Sequence, residues 1–227
     1  MPAVPADARL EIKFVTRVTE ISRIENWLRL HPACFTEPYP DRSVNNVYFD
    51  TLQLSAYSDN LSGASYRTKL RYRWYGDSEF PDKGNLEIKY KRNYFGWKRR
   101  FKCDQRVFSF ADRWKDFRFA LGECLGAEAR LWLESWPNPV MLNRYYRQYF
   151  VSDDNKVRVT IDSNQRVYDQ RYKSVPNVDQ QANSPDTLVI EFKFSRKDRA
   201  LAAGIIQGLP IRVSRNSKYV IGVTSML

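Results

Sequence analysis

The chain has 227 residues, 43% hydrophobic and 28% charged. At roughly 150 residues per domain this fits one large folded domain over 1–227 and excludes disordered, collagen-like and coiled-coil chains. No apolar stretch approaches the ~20 residues of a membrane span, and Met1 to Leu10 lacks the apolar core of a secretory signal. Lys and Arg number 37 against 26 Asp and Glu, a formal charge of +11, so the expected partner is a polyanion.

Strand-period alternation dominates the sequence. It predicts strands at Arg9 to Val15, Ser43 to Asp50, Tyr66 to Tyr75, Asn85 to Lys91, Trp97 to Cys103, Val140 to Val151, Lys156 to Asp162 and Leu188 to Phe194, with a short last strand at Tyr219 to Val223. Helices are expected at Val18 to Leu30, where Val18, Ile21, Ile24, Trp27 and Leu28 share a stripe, at Phe110 to Glu134 with interruptions at Gly122 and Gly126, and at Arg196 to Gly208. Ser174 to Thr187 is polar and contains proline, and is expected as a long mobile loop. The fold class is α+β: an antiparallel β-barrel of about eight strands with peripheral helices.

Cys34, Cys103 and Cys124 are odd in number, far apart and without a CxxC pair, so neither a disulfide framework nor a Cys/His zinc site is expected. A reducing, cytoplasmic location fits this usage. His31 is the only histidine and stands beside Pro32, in keeping with a surface turn rather than general-base chemistry.

Side chains alternate faces along a strand, and here one row of each strand is charged and the other apolar. The charged rows are Arg9, Glu11, Lys13; Lys69, Arg71, Arg73; Glu87, Lys89, Lys91; Lys98, Arg100, Lys102; Arg158, Thr160, Asp162; and Glu191, Lys193, with Tyr145, Arg147, Tyr149 as a mixed row. A solvated sheet face also alternates but usually mixes its signs. Two cations ~5 Å apart repel by about 3 kcal/mol at an effective dielectric of 20, so basic rows facing one another inside a barrel imply an anion between them. Glu11, Glu87 and Glu191 each precede a lysine by two residues, which suits either charge balance or a divalent cation shared with bound phosphates. Trp74, Tyr75, Tyr94 and Trp97 could stack on bases. Their alternation with the basic rows fits core packing better, so nucleic acid is disfavoured as partner.

The runs Arg9 to Phe14, Val47 to Thr51, Lys69 to Gly76, Leu86 to Lys89, Lys98 to Phe101, Tyr145 to Arg147, Arg158 to Asp162, Val189 to Lys193 and Ser217 to Tyr219 occur in an order that resembles the VTC-type polyphosphate polymerase domain. That domain is a branch of the triphosphate tunnel metalloenzymes, which include the CYTH phosphatases. The resemblance implies a tunnel that binds ATP or another nucleoside triphosphate and passes a growing polyphosphate chain. It implies an ATP:polyphosphate phosphotransferase dependent on Mn2+ or Mg2+, the alternatives being a triphosphate or short-chain polyphosphate hydrolase and a non-catalytic binding module. Carried over by position, Arg71, Arg73, Lys89, Arg147, Arg158 and Lys218 are implied as catalytic cations, Lys13 and Lys98 as phosphate ligands, and Tyr145 and Ser217 as hydroxyl donors. Arg100 and Lys193 are implied as further lining positions, and Glu191 as the metal ligand. Hydrolytic relatives carry Glu-x-Glu-x-Lys on the first strand, whereas this chain has Arg9-Leu10-Glu11-Ile12-Lys13, a departure that favours transfer over hydrolysis. No segment matches the phosphate-sensing regulatory domain or the membrane spans of the eukaryotic polymerases.

Overall fold

The computed structural model describes residues 3–107 and 112–227. Its strands are β1 (Arg9–Arg17), β2 (Arg42–Asp50), β3 (Tyr66–Tyr75), β4 (Gly84–Arg92), β5 (Phe95–Cys103), β6 (Asn138–Val151), β7 (Val157–Asp169) and β8 (Thr187–Phe194). They close into one antiparallel barrel in the order β1-β5-β4-β3-β2-β6-β7-β8, so every strand has two neighbours. The seam between β1 and β5 pairs at Arg9 with Gly96 and Leu10 with Phe95, whereas β1 and β8 pair along eight positions from Leu10–Phe194 to Arg17–Thr187.

The helices are α1 (Ile21–Arg29), α2 (Ser55–Leu61), α3 (Trp114–Leu125), α4 (Ala127–Ser135), α5 (Arg199–Gln207) and α6 (Lys218–Thr224). They cover the apolar rows, which face outward, so the hydrophobic core lies around the barrel rather than in it. Leu70, Tyr72, Leu86 and Ile88 pack against Phe117 and Leu121 of α3 and Leu133 of α4. Phe14, Ile161, Ile190 and Phe192 pack against Ile24 and Leu28 of α1 and Ala202 and Ile205 of α5. The apolar row of each strand is therefore satisfied by helices, and the charged row is left to line the interior.

Two expected elements need correction. Tyr219 to Val223 is helical, within α6, and not a ninth strand. A closed barrel offers no free edge, and Tyr219 and Val223, four residues apart, bury together against Tyr48, Met141 and Val167. The helix predicted at Phe110 to Glu134 is two helices. Gly126, at φ 83°, separates them, while Gly122 lies inside α3; the predicted start at Phe110 lies outside the described residues. Although far apart in sequence, Cys103 and Cys124 are brought together as free thiols with their Sγ atoms 2.8 Å apart.

Helix α2 escapes the periodicity because its cap comes from the preceding strand. Asp50, the last residue of β2, accepts hydrogen bonds from the Ala56 and Tyr57 amides and from the Tyr219 hydroxyl at 2.6 Å. The Val47 to Thr51 run therefore ties α2 and α6 to the barrel. His31 lies in a turn, where Nδ1 accepts from the Ala33 amide and the ring packs on Trp27. Of the four aromatics weighed for stacking, Trp74 is core and Trp97 stacks on Tyr90, but Tyr75 and Tyr94 are exposed, contrary to the expectation of core packing. Among the described residues no helix is long and apolar enough to cross a membrane.

Candidate active site

The interior rows gather around four carboxylates. Glu87 is buried, at 1% exposure. Its Oε2 accepts from Arg71 Nε at 2.9 Å and Nη2 at 2.6 Å and lies 3.8 Å from Arg73 Nη1; its Oε1 accepts from Lys98 at 2.6 Å and lies 3.4 Å from Arg100 Nε. Register explains the cage, since Arg71, Glu87 and Arg100 are direct partners across β3, β4 and β5. Burial raises the Glu87 pKa, but the charges of Arg71, Arg73 and Lys98 outweigh it and hold the carboxyl well below its usual range. Both Glu87 oxygens are thus occupied by cations, which makes it the counter-ion of the cage and favours charge balance, the first of its two sequence readings.

The cage is anchored on its far side. Arg73 donates from Nε to Asn46 Oδ1 at 2.7 Å and from Nη2 to the Tyr145 hydroxyl at 3.1 Å, and Arg71 Nη1 donates to the Tyr48 hydroxyl at 3.1 Å. Tyr145 sits where the β6/β7 register shifts, between Arg144 and Tyr146, an irregularity that turns its ring toward the arginines. Asp162 is the second centre: Arg147 grips both of its oxygens at 2.5 and 2.7 Å, and Lys218 from α6 reaches Oδ2 at 2.8 Å. Burial opposes ionisation of Asp162, yet Arg147 and Lys218 hold it ionised.

Glu191 is the third centre, with Lys13 3.6 Å from Oε1 and Lys193 3.3 Å from Oε2. Lys13, Lys193, Lys89 and Arg147 overcome the burial penalty and hold it well below the usual carboxylate pKa. Its Oε1 is buried without a hydrogen-bond partner among the described residues, as is Oγ1 of Thr160, its register partner on β7. A buried, ionised carboxylate oxygen with spare acceptor capacity fits a divalent cation completed by phosphate oxygens, the usual manner of holding magnesium. Among the described residues no group of three or more His, Cys, Asp or Glu side chains is placed to hold a metal alone, so such an ion would depend on the bound phosphates. Glu11 completes the set, 3.2 Å from Lys89.

The structure thus brings together Lys13, Arg71, Arg73, Lys89, Lys98, Arg100, Tyr145, Arg147, Glu191, Lys193 and Lys218. Ser217 joins them as the cap of α6: its Oγ accepts from the Val220 amide and, at 2.7 Å, from Lys69. In both hydroxyls the oxygen accepts from protein, which leaves the hydrogen of each to donate to an anion. Arg158 stands apart. It is on the row of Asp162 and opposite Lys193, but exposed at the end of the barrel, and its side chain has no hydrogen bond or ion pair among the described residues.

Sequence reasoning missed the roles of Asn46, Tyr48 and Lys69. Asn46 and Tyr48 share one face of β2, a strand buried on both faces, and the polar residue at the buried Asn46 position was the available signal. Lys69 belonged to a recognised basic row but was not carried over with Arg71 and Arg73.

The barrel has counterparts among solved structures. It is similar to a protein of Hippeastrum described as an adenylyl cyclase with a dominant triphosphatase activity (12% identity, TM-score 0.54, covering 96% of this chain and 95% of that one). It is also similar to a protein of Vibrio parahaemolyticus described as an adenylate cyclase (10% identity, TM-score 0.55, 96% and 98%) and to a Pyrococcus horikoshii protein (12% identity, TM-score 0.50, 96% and 99%). At these identities the likeness is one of fold. Comparison with curated protein sequences gives no match. The model of the VTC domain matches residues 8–227, nearly the entire sequence and all of the barrel, and the chain belongs to the VTC domain family.

Proposed function

We propose that this protein is a polyphosphate polymerase that transfers the γ-phosphate of ATP to the end of a polyphosphate chain. The observation that carries the reading is the excess of interior cations. Glu11, Glu87, Asp162 and Glu191 are each already ion-paired, yet Lys69, Lys89 and Lys98 remain direct register partners across three adjacent strands. Like charges placed directly opposite destabilise a sheet, and a linear polyanion threaded along the barrel removes that repulsion.

In the proposed step an anionic oxygen of the terminal chain phosphate attacks the γ-phosphorus of ATP. A new P–O bond forms, the bond from the γ-phosphorus to the β,γ-bridging oxygen breaks, and ADP leaves with the electron pair. The nucleophile is already charged, so no general base is required, in keeping with a site that contains no histidine. Arg71 and Arg73, oriented by Glu87, Asn46 and the Tyr48 and Tyr145 hydroxyls, present fixed donors to the equatorial oxygens. Lys89, Lys98 and Lys218 supply point charges. Arg147, locked by Asp162, holds a flanking phosphate in line. Glu191 would hold the Mn2+ or Mg2+, which supplies neutralisation of phosphate charge when bound. Arg9, exposed at the barrel seam, takes the place of the carboxylate that hydrolytic relatives carry, which further favours transfer over hydrolysis.

The test is incubation of the protein with γ-labelled ATP and manganese, followed by gel separation of phosphate, short chains and long polyphosphate. A ladder or high-mass smear with stoichiometric ADP is expected. Label released only as free phosphate would make the protein a hydrolase, and binding of ATP without turnover would make it a binding module.

A further inference from the structure

The carboxylates are unevenly spread along the tunnel. Arg71, Arg73, Lys98 and Arg100 share Glu87, and Arg147 and Lys218 share Asp162, but toward the start of β3 and the end of β4 the balance fails. Arg67 and Lys91 are direct register partners, and Lys69 faces Lys89 one step further in. None of Arg67, Lys69 and Lys91 forms an ion pair among the described residues. Lys69 has only the Ser217 hydroxyl and the Tyr219 ring, 5.8 Å from its Nζ, and Arg67 Nε is buried without a partner. Two further buried polar atoms without partners, Ser214 Oγ and Asn216 Oδ1, lie on the strap before α6, which also supplies the Ser217 ligand of Lys69 and the backbone oxygen that accepts from Lys13 Nζ.

The electrostatic cost of this arrangement shows in the lysines themselves. Burial, then Lys89, Lys13, Arg67 and Arg71, holds Lys69 well below the ordinary lysine pKa. Lys91 is lowered by burial and by Arg67, Lys89 and Lys13, with Glu11 the opposing charge. The position along the barrel indicates what relieves it. From Arg73 to Arg67 the same face of β3 advances six residues, about 20 Å, which is longer than a triphosphate. A triphosphate held by Arg71, Arg73 and Arg147 leaves the Arg67 end uncovered.

We infer that Arg67, Lys69 and Lys91 form a second phosphate subsite, which holds the more distant phosphates of a linear polyphosphate while the Glu87 and Asp162 centres hold the reacting ones. The inference rests on the polymerase reading and assigns the acceptor chain to the end of the barrel beside α6. Half-buried Arg67 and Lys91 keep this end open to solvent, so a chain can lengthen through it.

The experiment is titration calorimetry at fixed salt with inorganic tripolyphosphate and with a long linear polyphosphate, on the wild type and on Arg67→Gln, Lys69→Met and Lys91→Gln, each checked for an unchanged melting profile. A long chain offers more binding registers than a short one, but this statistical factor is the same for every variant and cancels. Each variant is expected to lose about tenfold in affinity for the long chain, the loss of one charged contact, while tripolyphosphate affinity stays within about twofold. Lys69→Arg is expected to retain long-chain affinity. Equal losses for both ligands, or no loss for either, overturn the second subsite and leave the polymerase reading standing. A wild type that binds neither ligand overturns both.

Discussion

Arg71 and Glu87 face one another across β3 and β4, and two hydrogen bonds, 2.9 Å from Nε and 2.6 Å from Nη2, converge on a single carboxylate oxygen. The other oxygen belongs to Lys98 and Arg100, so one buried negative charge compensates four cations, with Arg73 the fourth. Glu87→Gln keeps the shape and deletes the charge. It is expected to destabilise the fold by about 3–5 kcal/mol, the usual result of breaking one side of a buried ion pair, with the well-buried Arg71 and Arg73 carrying most of it. Because the Glu87 pKa lies below its unfolded value, its contribution is complete above the ordinary carboxylate pKa and is lost as pH falls through that value toward the folded one. The difference in melting temperature between wild type and variant is therefore expected to shrink on acidification. Tripolyphosphate is expected to raise the variant's melting temperature more than the wild type's, which thermal denaturation with and without the ligand checks.

Lys98 adds a pH dependence on the alkaline side. Burial pushes its pKa down to about 8, with Arg71 and Arg73 adding to the effect and Glu87 opposing it. Its register partner Lys89 is a further cation on the adjoining strand. As pH rises above 8 the amine loses its proton, whereas a bound phosphate favours the protonated form. Tripolyphosphate affinity is expected to fall by up to about tenfold per pH unit there. Lys98→Arg keeps its charge throughout and is expected to flatten the profile between pH 7 and 9, measured by calorimetry.

The strands and their charged rows were legible because both consequences of alternation, burial on helices outside and charge inside, act on single side chains. Pairing was not legible. That Glu87 serves Arg71 and Arg100 while Asp162 serves Arg147 and Lys218 depends on strand register and on where α6 lands, and neither is written in local spacing. Tyr219 to Val223 shows the same limit. Its apolar, β-branched residues suit a strand, but the closed barrel leaves no edge for one, and the Tyr219 hydroxyl bonded to Asp50 selects the helix. Arg158 was expected among the catalytic cations from its place in a motif; it lies opposite Lys193 at the exposed end of the barrel, without an ion pair among the described residues.

The placement of α6 gives a test remote from the charges. A Cβ at Gly222 would lie 2.1 Å from Met141 Sδ, 3.3 Å from its Cε and 3.4 Å from Val167 Cγ1, and Met141 is fully buried. Gly222→Ala is expected to cost about 1–3 kcal/mol, because the displaced thioether has little space to move into. The same shift of α6 draws Lys218 from Asp162, so tripolyphosphate affinity falls as well. Adding Met141→Ala to Gly222→Ala opens the space and is expected to recover both melting temperature and affinity in part. Recovery of stability without affinity would separate α6 from the site.

Glu191 differs from Glu87 in the freedom of its oxygens. Glu87 is saturated by hydrogen bonds, whereas Glu191 Oε1 has none among the described residues and is approached by Lys13 at 3.6 Å. Glu191→Gln removes the ionised oxygen and at the same time releases Lys13 and Lys193 from their shared counter-ion. The two effects have opposite signs. Without added metal, the variant is expected to bind tripolyphosphate more tightly than the wild type, because two lysines are newly available to the anion. The gain in ATP affinity that manganese gives the wild type is expected to vanish in the variant and to persist in Glu87→Gln. Titrations of each protein with ATP in the presence and absence of manganese read both effects. A manganese response that survives Glu191→Gln would place the metal elsewhere in the tunnel.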